Sequence, residues 1–388
     1  MATAMSLWAS PDFFGYFETE GSVLGVGSAS YTYGFNKLRV DIEARPNDHI
    51  LIGANLNVQK YWGKTTWNIY DFVPGYENLG TVWNIALPDT VLLDNVYMRV
   101  RFHVFDLTVG RQQISPGVGY AWNPTDLFNT KSLLDPSYEQ TGVSLIRVDI
   151  PLANRASFNM ILDPAADLDS STVQVWLKGG FSQFDVSLTA GSEEWESLNA
   201  FSFAAGAVDR RHMFGANIVG EIFGFGTWVE YARFNIDYGL LTPSLSASSS
   251  IYLPPQVETY EEYVLGLDYT LENGLYVLTE YLHNGYGKQK KSQLGFMDYV
   301  YSLSGFSHSL MQDYSFVFVS HPTFDYVTLS AITFVNLDDG SGIFSPQLNW
   351  NAFQNTNLSL QGSFGWGAED SEFGLQDWGL ILNITSNF

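Results

Sequence analysis

The last eleven residues of the chain, Trp378-Gly-Leu-Ile-Leu-Asn-Ile-Thr-Ser-Asn-Phe388, constrain its fold more than any other stretch. Trp378, Leu380, Leu382, Ile384 and Phe388 fall on one face of a strand, and Gly379, Asn383, Thr385 and Asn387 on the other. This period-two alternation marks a strand with one apolar and one wet face. Such a strand sits half buried in a soluble sheet, or stands in a bilayer with lipid outside and water inside.

Composition favours the bilayer. Only 15% of residues are charged while 16% are aromatic; soluble domains carry about 25% charged residues. No stretch of 18 apolar residues is present, so a membrane-spanning helix is not available. A closed β-barrel is the other way to satisfy every backbone group in hydrocarbon. The net charge of -23 argues against a nucleic-acid partner. It also places the acidic excess in loops or lumen, because a lipid face cannot carry it. With no cysteine, a disulfide scaffold and a Cys metal site are excluded.

The alternation recurs along the chain. Leu38, Val40, Ile42 and Ala44 oppose Lys37, Arg39, Asp41, Glu43 and Arg45. Met98, Val100 and Phe102 oppose Arg99 and Arg101. The pattern predicts strands near 14–24, 30–45, 49–61, 94–103, 105–113, 142–150, 155–162, 171–179, 183–191, 211–222, 226–236, 259–271, 274–283, 312–320, 325–335, 342–352, 356–367 and 376–388. That makes eighteen, or sixteen if the poorly patterned start of the chain drops out.

Connections alternate short and long. Turns such as Arg45-Pro-Asn-Asp48, Pro151-Leu-Ala-Asn154 and Phe223-Gly-Phe-Gly226 read as hairpins. Between them lie the long segments 62–93, 114–141, 192–210, 237–258 and 284–311. Long connections all at one end are the mark of an antiparallel up-and-down transmembrane β-barrel with short periplasmic turns and long extracellular loops. Residues 10–388 read as one such all-β domain. Residues 1–9 are a signal-peptide remnant or a free N-terminus.

Over nearly its full length the chain resembles the bacterial outer-membrane porins, in its even strand number, loop asymmetry and terminal aromatic. It also resembles porin-like proteins in which an Arg-Gln-Gln segment precedes a Trp-Asn-Pro-Thr-Asp-Leu-Phe-Asn run, here Arg111-Gln112-Gln113 and Trp122 to Asn129. The Pro-Glu-Phe-Gly-Gly signature of the general porins is absent. The resemblance implies the outer membrane of a Gram-negative-type bacterium, with membrane lipid and lipopolysaccharide around the barrel. It implies small hydrophilic solutes inside, and leaves a homo-trimer open. It further implies that the loop after the fifth strand, 114–141, folds into the lumen, with Tyr120, Trp122 and Asp126 lining a constriction.

Charge is uneven. Residues 30–155 hold eleven Lys/Arg and twelve Asp/Glu, whereas residues 212–388 hold four and eighteen. Lys37, Arg39, Asp41, Glu43, Arg99, Arg101, Arg147 and Asp149 fall on the non-lipid faces of neighbouring strands, and Glu262 and Asp268 on the far wall. A basic wall opposite an acidic one would set a transverse field across a pore. Alternatively these groups pair across strands and only brace the lumen. From the acidic excess, modest cation preference is the expectation. The Trp residues at 176, 228, 350, 366 and 378 suit interfacial girdles, although some could stack on sugars inside. Arg111 shares parity with Leu107 and Val109 and would face lipid unless Gly110 marks a bulge or the strand has already left the membrane.

No catalytic motif emerges. The six His are scattered, and His103 is the one strand-embedded candidate for a hydrolytic pair. The Asp-rich turns at Asp163/Asp167/Asp169 and Asn336/Asp338/Asp339 do not match a calcium loop. The expectation is a diffusion porin, not an enzyme, with neither metal nor cofactor. The alternatives are a solute-specific channel for anions or sugars using the Arg ladder, and a plugged barrel serving as a scaffold for an envelope complex.

Overall fold

The structure, a computed structural model, describes residues 10–26, 29–68, 84–129, 131, 140–166, 168–198, 205–237, 257–295, 298–299, 302, 307, 309–374 and 376–388. Residues 1–9 lie outside this set.

The strands run β1 Asp12–Val26, β2 Ala29–Asn47, β3 Ile50–Gly63, β4 Thr66–Asn68, β5 Asn84–Ala86, β6 Thr90–Arg101, β7 Asp106–Gln112, β8 Val143–Ala153, β9 Ala156–Asp163, β10 Thr172–Phe181, β11 Phe184–Leu198, β12 Ala205–Ile222, β13 Phe225–Asp237, β14 Thr259–Thr270, β15 Tyr276–Asn284, β16 Asp313–Phe324, β17 Val327–Asn336, β18 Gly342–Phe353, β19 Thr356–Trp366 and β20 Gln376–Asn387. β4 and β5 pair only with each other. The other eighteen form one antiparallel sheet in chain order, and β1 pairs with β20 to close it. These eighteen coincide with the segments expected from alternation. Closure leaves no sheet edge, which is what hydrocarbon demands of a strand.

At the seam the C-terminal aromatic meets the first strand. The Gly15 N–H donates to the Phe388 carbonyl at 3.2 Å, and the Phe388 N–H donates back at 3.0 Å. The start of β1 and the C-terminal residue therefore share the end of the barrel that carries the short turns. One of those turns is Phe223-Gly224. Both residues adopt positive φ, 54° and 83°, as a two-residue hairpin turn matched to strand twist requires.

The outer face follows the alternation. Leu38, Met98, Val109, Leu177, Leu188, Phe214, Val229, Leu265, Leu329, Leu360, Leu380 and Leu382 are exposed. This apolar belt is the surface that a bilayer would cover. Arg111 is accommodated by a bulge on its neighbour. Opposite Asn55 and Leu56, β6 inserts Asp94 as an extra residue. Arg111 Nε donates to the Asp94 carbonyl at 2.8 Å, and its Nη2 lies 3.8 Å from the carboxylate. The Asp94 carboxylate also accepts from the Gly142 N–H at 2.9 Å. The bulge thus pairs a charge that parity would have left facing lipid.

The inner face departs from a uniformly polar lumen. On β12 to β17 it is largely apolar: Met213, Trp228, Phe234, Leu278, Leu282, Tyr314, Phe316 and Phe334 are buried inside the barrel. On β1 to β3 and β6 to β10 it carries Glu18, Lys37, Arg39, Asn55, Asn95, Arg99, Thr108, Arg147, Asn159 and Gln174. One half of the interior therefore needs an apolar cover, while the other tolerates water.

Candidate functional site

The cover is the loop after β7. Its described part, 114–129 and Lys131, enters the barrel and lies against β13 to β17. Ala121 and Trp122 pack into a cluster with Trp228, Val264, Leu278, Leu282, Tyr314, Phe316 and Phe334. The Tyr120 ring lies against Phe316 and Phe318. An irregular loop exposes backbone amides that must find acceptors when buried. Two carboxylates supply them.

Glu230, in the middle of β13, accepts from the N–H groups of Val118 at 2.6 Å, Gly119 at 3.1 Å and Thr125 at 2.8 Å. It also accepts from the Thr125 hydroxyl at 2.7 Å. Glu280, on β15, accepts from the N–H groups of Tyr120 and of Ala121, the latter at 2.6 Å, and from Trp228 Nε1–H at 2.5 Å. Gly117 makes the first approach feasible. Its φ is +99°, and a Cβ there would sit 2.7 Å from the Glu230 carboxylate. The Lys131 ammonium donates to the carbonyls of Gly119 and Tyr120 at 2.6 and 2.9 Å. Asp126 caps the N–H groups of Phe128 and Asn129, and the Asn129 amide closes the neck on the Ile114 carbonyl at 2.6 Å. Gln174 Nε2 reaches the Thr125 carbonyl from β10 at 2.6 Å.

What the loop leaves uncovered is polar. A cavity of about 290 Å³ lies between the loop and β8 to β12, lined by Ser115, Thr125, Arg147, Ser157, Asn159, Gln174, Trp176, Lys178, Ser187, Thr189 and Asn217, among others. A second, of about 350 Å³, is lined by Arg39, Asp41, Glu43, Asn55, Asn95, Tyr97, Arg99, Gln112 and Arg147, with others. Arg147 borders both. The sheet register explains the grouping. Arg99 and Arg147 each pair with Thr108, one from either side, and Lys178 lies between Ser157 and Ser187.

Three ion pairs that border these cavities run along strands. Arg39 grips Asp41 through Nε and Nη2 at 2.8 to 3.0 Å, and Arg147 Nε meets Asp149 at 2.9 Å. Glu43 pairs with Arg45. Arg99 reaches only Thr108 Oγ1, at 3.3 Å, and among the described residues neither it nor Lys178 has a carboxylate partner.

Several sequence expectations are redistributed. Trp122 and Asp126, 4% and 3% exposed, pack between loop and wall instead of facing an opening, because the apolar wall draws the loop's own apolar side onto it. Glu262, 1% exposed, is buried among the inner side chains of β14, so it is no open acidic wall. Asp268 lies near the short turns, where its carboxylate accepts from the Tyr276 hydroxyl at 2.7 Å. Arg101 sits at the rim beside Asp106, its side chain 65% exposed. Lys37 is buried, 5.2 Å from the Tyr16 ring centroid. Trp176 and Trp228 point inward and belong to no outer girdle. His103 lies in the β6–β7 turn, not in a strand.

The long-loop end holds an acidic knot. Asp338 accepts from the N–H groups of Gln312 and Asp313, both at 2.8 Å, and Asp339 accepts from the N–H of Glu372 at 3.0 Å. Among the described residues no group of three or more His, Cys, Asp or Glu is placed to hold a metal. The Glu372 carboxylate accepts from the Tyr314 hydroxyl and the Asn336 amide, both at 2.7 Å. Burial, reinforced by Asp339 and Asp338, pushes Glu372 up from about 4.5 to about 7, against the pull of those two hydrogen bonds. Because the folded value is raised, stability falls as pH rises from about 4.5 to about 7 and is flat above. The expected loss is on the order of 1–3 kcal/mol. Glu372→Gln should flatten that slope, read as the pH dependence of thermal unfolding in detergent. An unchanged slope in the variant would assign the dependence to other groups.

No protein-family model matches the sequence, and no curated protein sequence does. Solved structures match over nearly the whole chain. OccAB4 of Acinetobacter baumannii is 10% identical, with a TM-score of 0.55 and 99% of each chain covered. OmpF of Salmonella typhi, in complex with daunomycin, is 11% identical at a TM-score of 0.48, with 98% of each chain covered. In-vitro folded OmpT of Vibrio cholerae is 10% identical at 0.49, covering 98% of this chain and 100% of that one. At such identities the likeness speaks to fold alone. The chain is a closed 18-stranded antiparallel β-barrel with the fold of the outer-membrane porins.

Proposed function

We propose that this barrel is a porin of the Gram-negative outer membrane, passing small hydrophilic solutes by diffusion through the half of its lumen that the inward loop leaves open. The observation that carries the reading is the division of the interior. Glu230 and Glu280 pin the loop to an apolar wall, and the opposite wall presents polar-lined cavities instead of a packed core. A plug would be expected to fill both halves. Lipid and lipopolysaccharide surround the apolar belt on this reading, and no step of it calls for catalysis.

The same division bears on selectivity. The far-wall carboxylates Glu230, Glu280 and Glu262 are buried, whereas Arg39, Arg99, Arg147 and Lys178 line the open half against Asp41 and Glu43. The cation preference expected from the net charge therefore gives way to an anion preference. Arg99 and Lys178, which have no carboxylate partner among the described residues, favour the solute-specific alternative within the same channel.

Planar-bilayer recording tests the proposal. Purified protein should insert in discrete conducting steps. Deleting residues 115–129 should raise the step by about twofold or more, since a constriction dominates the resistance of a pore. Silence from well-folded protein would favour the scaffold reading instead.

A further inference from the structure

We propose that the chamber between the loop and β8 to β12 is a binding subsite for a monosaccharide acid, a hydroxylated ring bearing one carboxylate. The inference rests on the channel reading above and names its solute class. Three features of the chamber select that chemistry.

The first is unspent positive charge. Arg147 commits its Nε to Asp149 at 2.9 Å, while its terminal nitrogens make no hydrogen bond among the described residues. Lys178, two strands away, has no partner among them at all. No carboxylate lines this chamber. A planar carboxylate fits the free edge of a guanidinium and a neighbouring ammonium.

The second is an aromatic wall. Trp176 is half-buried and packs on the Ile114, Leu145 and Ile161 cluster while bordering the chamber. With the Asn159 amide turned to satisfy its neighbours, its oxygen accepts from the Trp176 indole N–H at 3.0 Å. The indole's polar edge is then satisfied by the protein, and its ring is left to an apolar sugar face.

The third is hydrogen-bonding capacity. Ser157, Ser187 and Asn217 line the same chamber and offer donors and acceptors to ring hydroxyls. The volume of about 290 Å³ suits one ring and not a chain of them.

The experiment uses the full barrel in planar bilayers, with glucuronate, glucose and acetate added separately at equal concentration. Glucuronate should interrupt the current in resolved blockades, with a half-blocking concentration about tenfold or more below those of glucose and acetate. Trp176→Leu and Lys178→Gln should each raise the glucuronate value by about tenfold. Saturation-transfer NMR on detergent-solubilised protein reads binding without conduction. If the pore conducts and all three solutes act alike, the subsite is wrong and the channel stands. If acetate blocks as well as glucuronate, the chamber is a plain anion filter and the proposal falls. If no current appears, yet glucuronate gives a transfer signal that Trp176→Leu abolishes, the subsite stands and the channel reading falls.

Discussion

Replacing Glu230 and Glu280 together by alanine should free the inward loop while leaving the barrel closed. The double variant should conduct in larger, noisier steps and become cleavable by protease within residues 114–129. The two carboxylates accept from five loop N–H groups, the Thr125 hydroxyl and the Trp228 indole. Each buried donor left without an acceptor costs about 1–3 kcal/mol. Moving the loop into water relieves that cost at once, whereas unfolding the barrel would break strand ladders that neither carboxylate touches. The apolar cluster around Trp122 opposes release. Single substitutions should therefore have smaller effects than the pair. Gln at both positions, which keeps an acceptor oxygen, should fall between. Wild-type conductance and full protease resistance in the alanine pair would show that packing alone holds the loop.

The second large effect concerns charge. Changing Arg99, Arg147 and Lys178 to Gln should turn an anion-preferring pore into a cation-preferring one in dilute salt. After that substitution, the charged residues lining the two cavities are two carboxylates, Asp41 and Glu43, against one cation, Arg39, which is already paired. The contrast should fade in concentrated salt, as the screening length shrinks from about 30 Å at 0.01 M to about 3 Å at 1 M. Reversal potentials measured at both extremes check it. No change in the dilute-salt value would place the selectivity elsewhere, for instance in the acidic outer loops.

The strands were legible because lipid imposes a rule on every one of them. Leu38, Met98, Leu177, Leu265 and Leu380 must be apolar whatever lies inside, so the outer face printed the barrel into the sequence. The alternation of short turns and long segments then fixed which connections share an end. The inner face obeys no such rule. Between β12 and β17 it is largely apolar too, and residues such as Phe316 and Phe334 look, in isolation, like further lipid contacts.

That ambiguity hid the loop's anchors. Glu230 lies between Trp228 and Ala232 in the inward register, and Glu280 between Leu278 and Leu282. A lone acid in mid-strand on an otherwise apolar inner face was the available signal, since a buried carboxylate needs donors brought to it. Parity also held the answer for Trp176. Val173, Val175 and Leu177 are its strand's lipid face, which turns Trp176 inward with Gln174 and Lys178. An average preference of Trp for interfaces pointed the other way, and the local register prevails. The bulge at Asp94 left only an indirect trace, the lipid-facing parity of Arg111 on the neighbouring strand, because one inserted residue shifts parity without changing composition.

The most direct measurement is a planar-bilayer recording of the purified protein across a gradient of dilute KCl. Open, discrete steps whose zero-current potential lies toward that of chloride are the predicted result. Repeated insertion of folded protein without current, or a potential lying toward that of potassium, would contradict the claim that solutes pass through the Arg-lined half of the lumen.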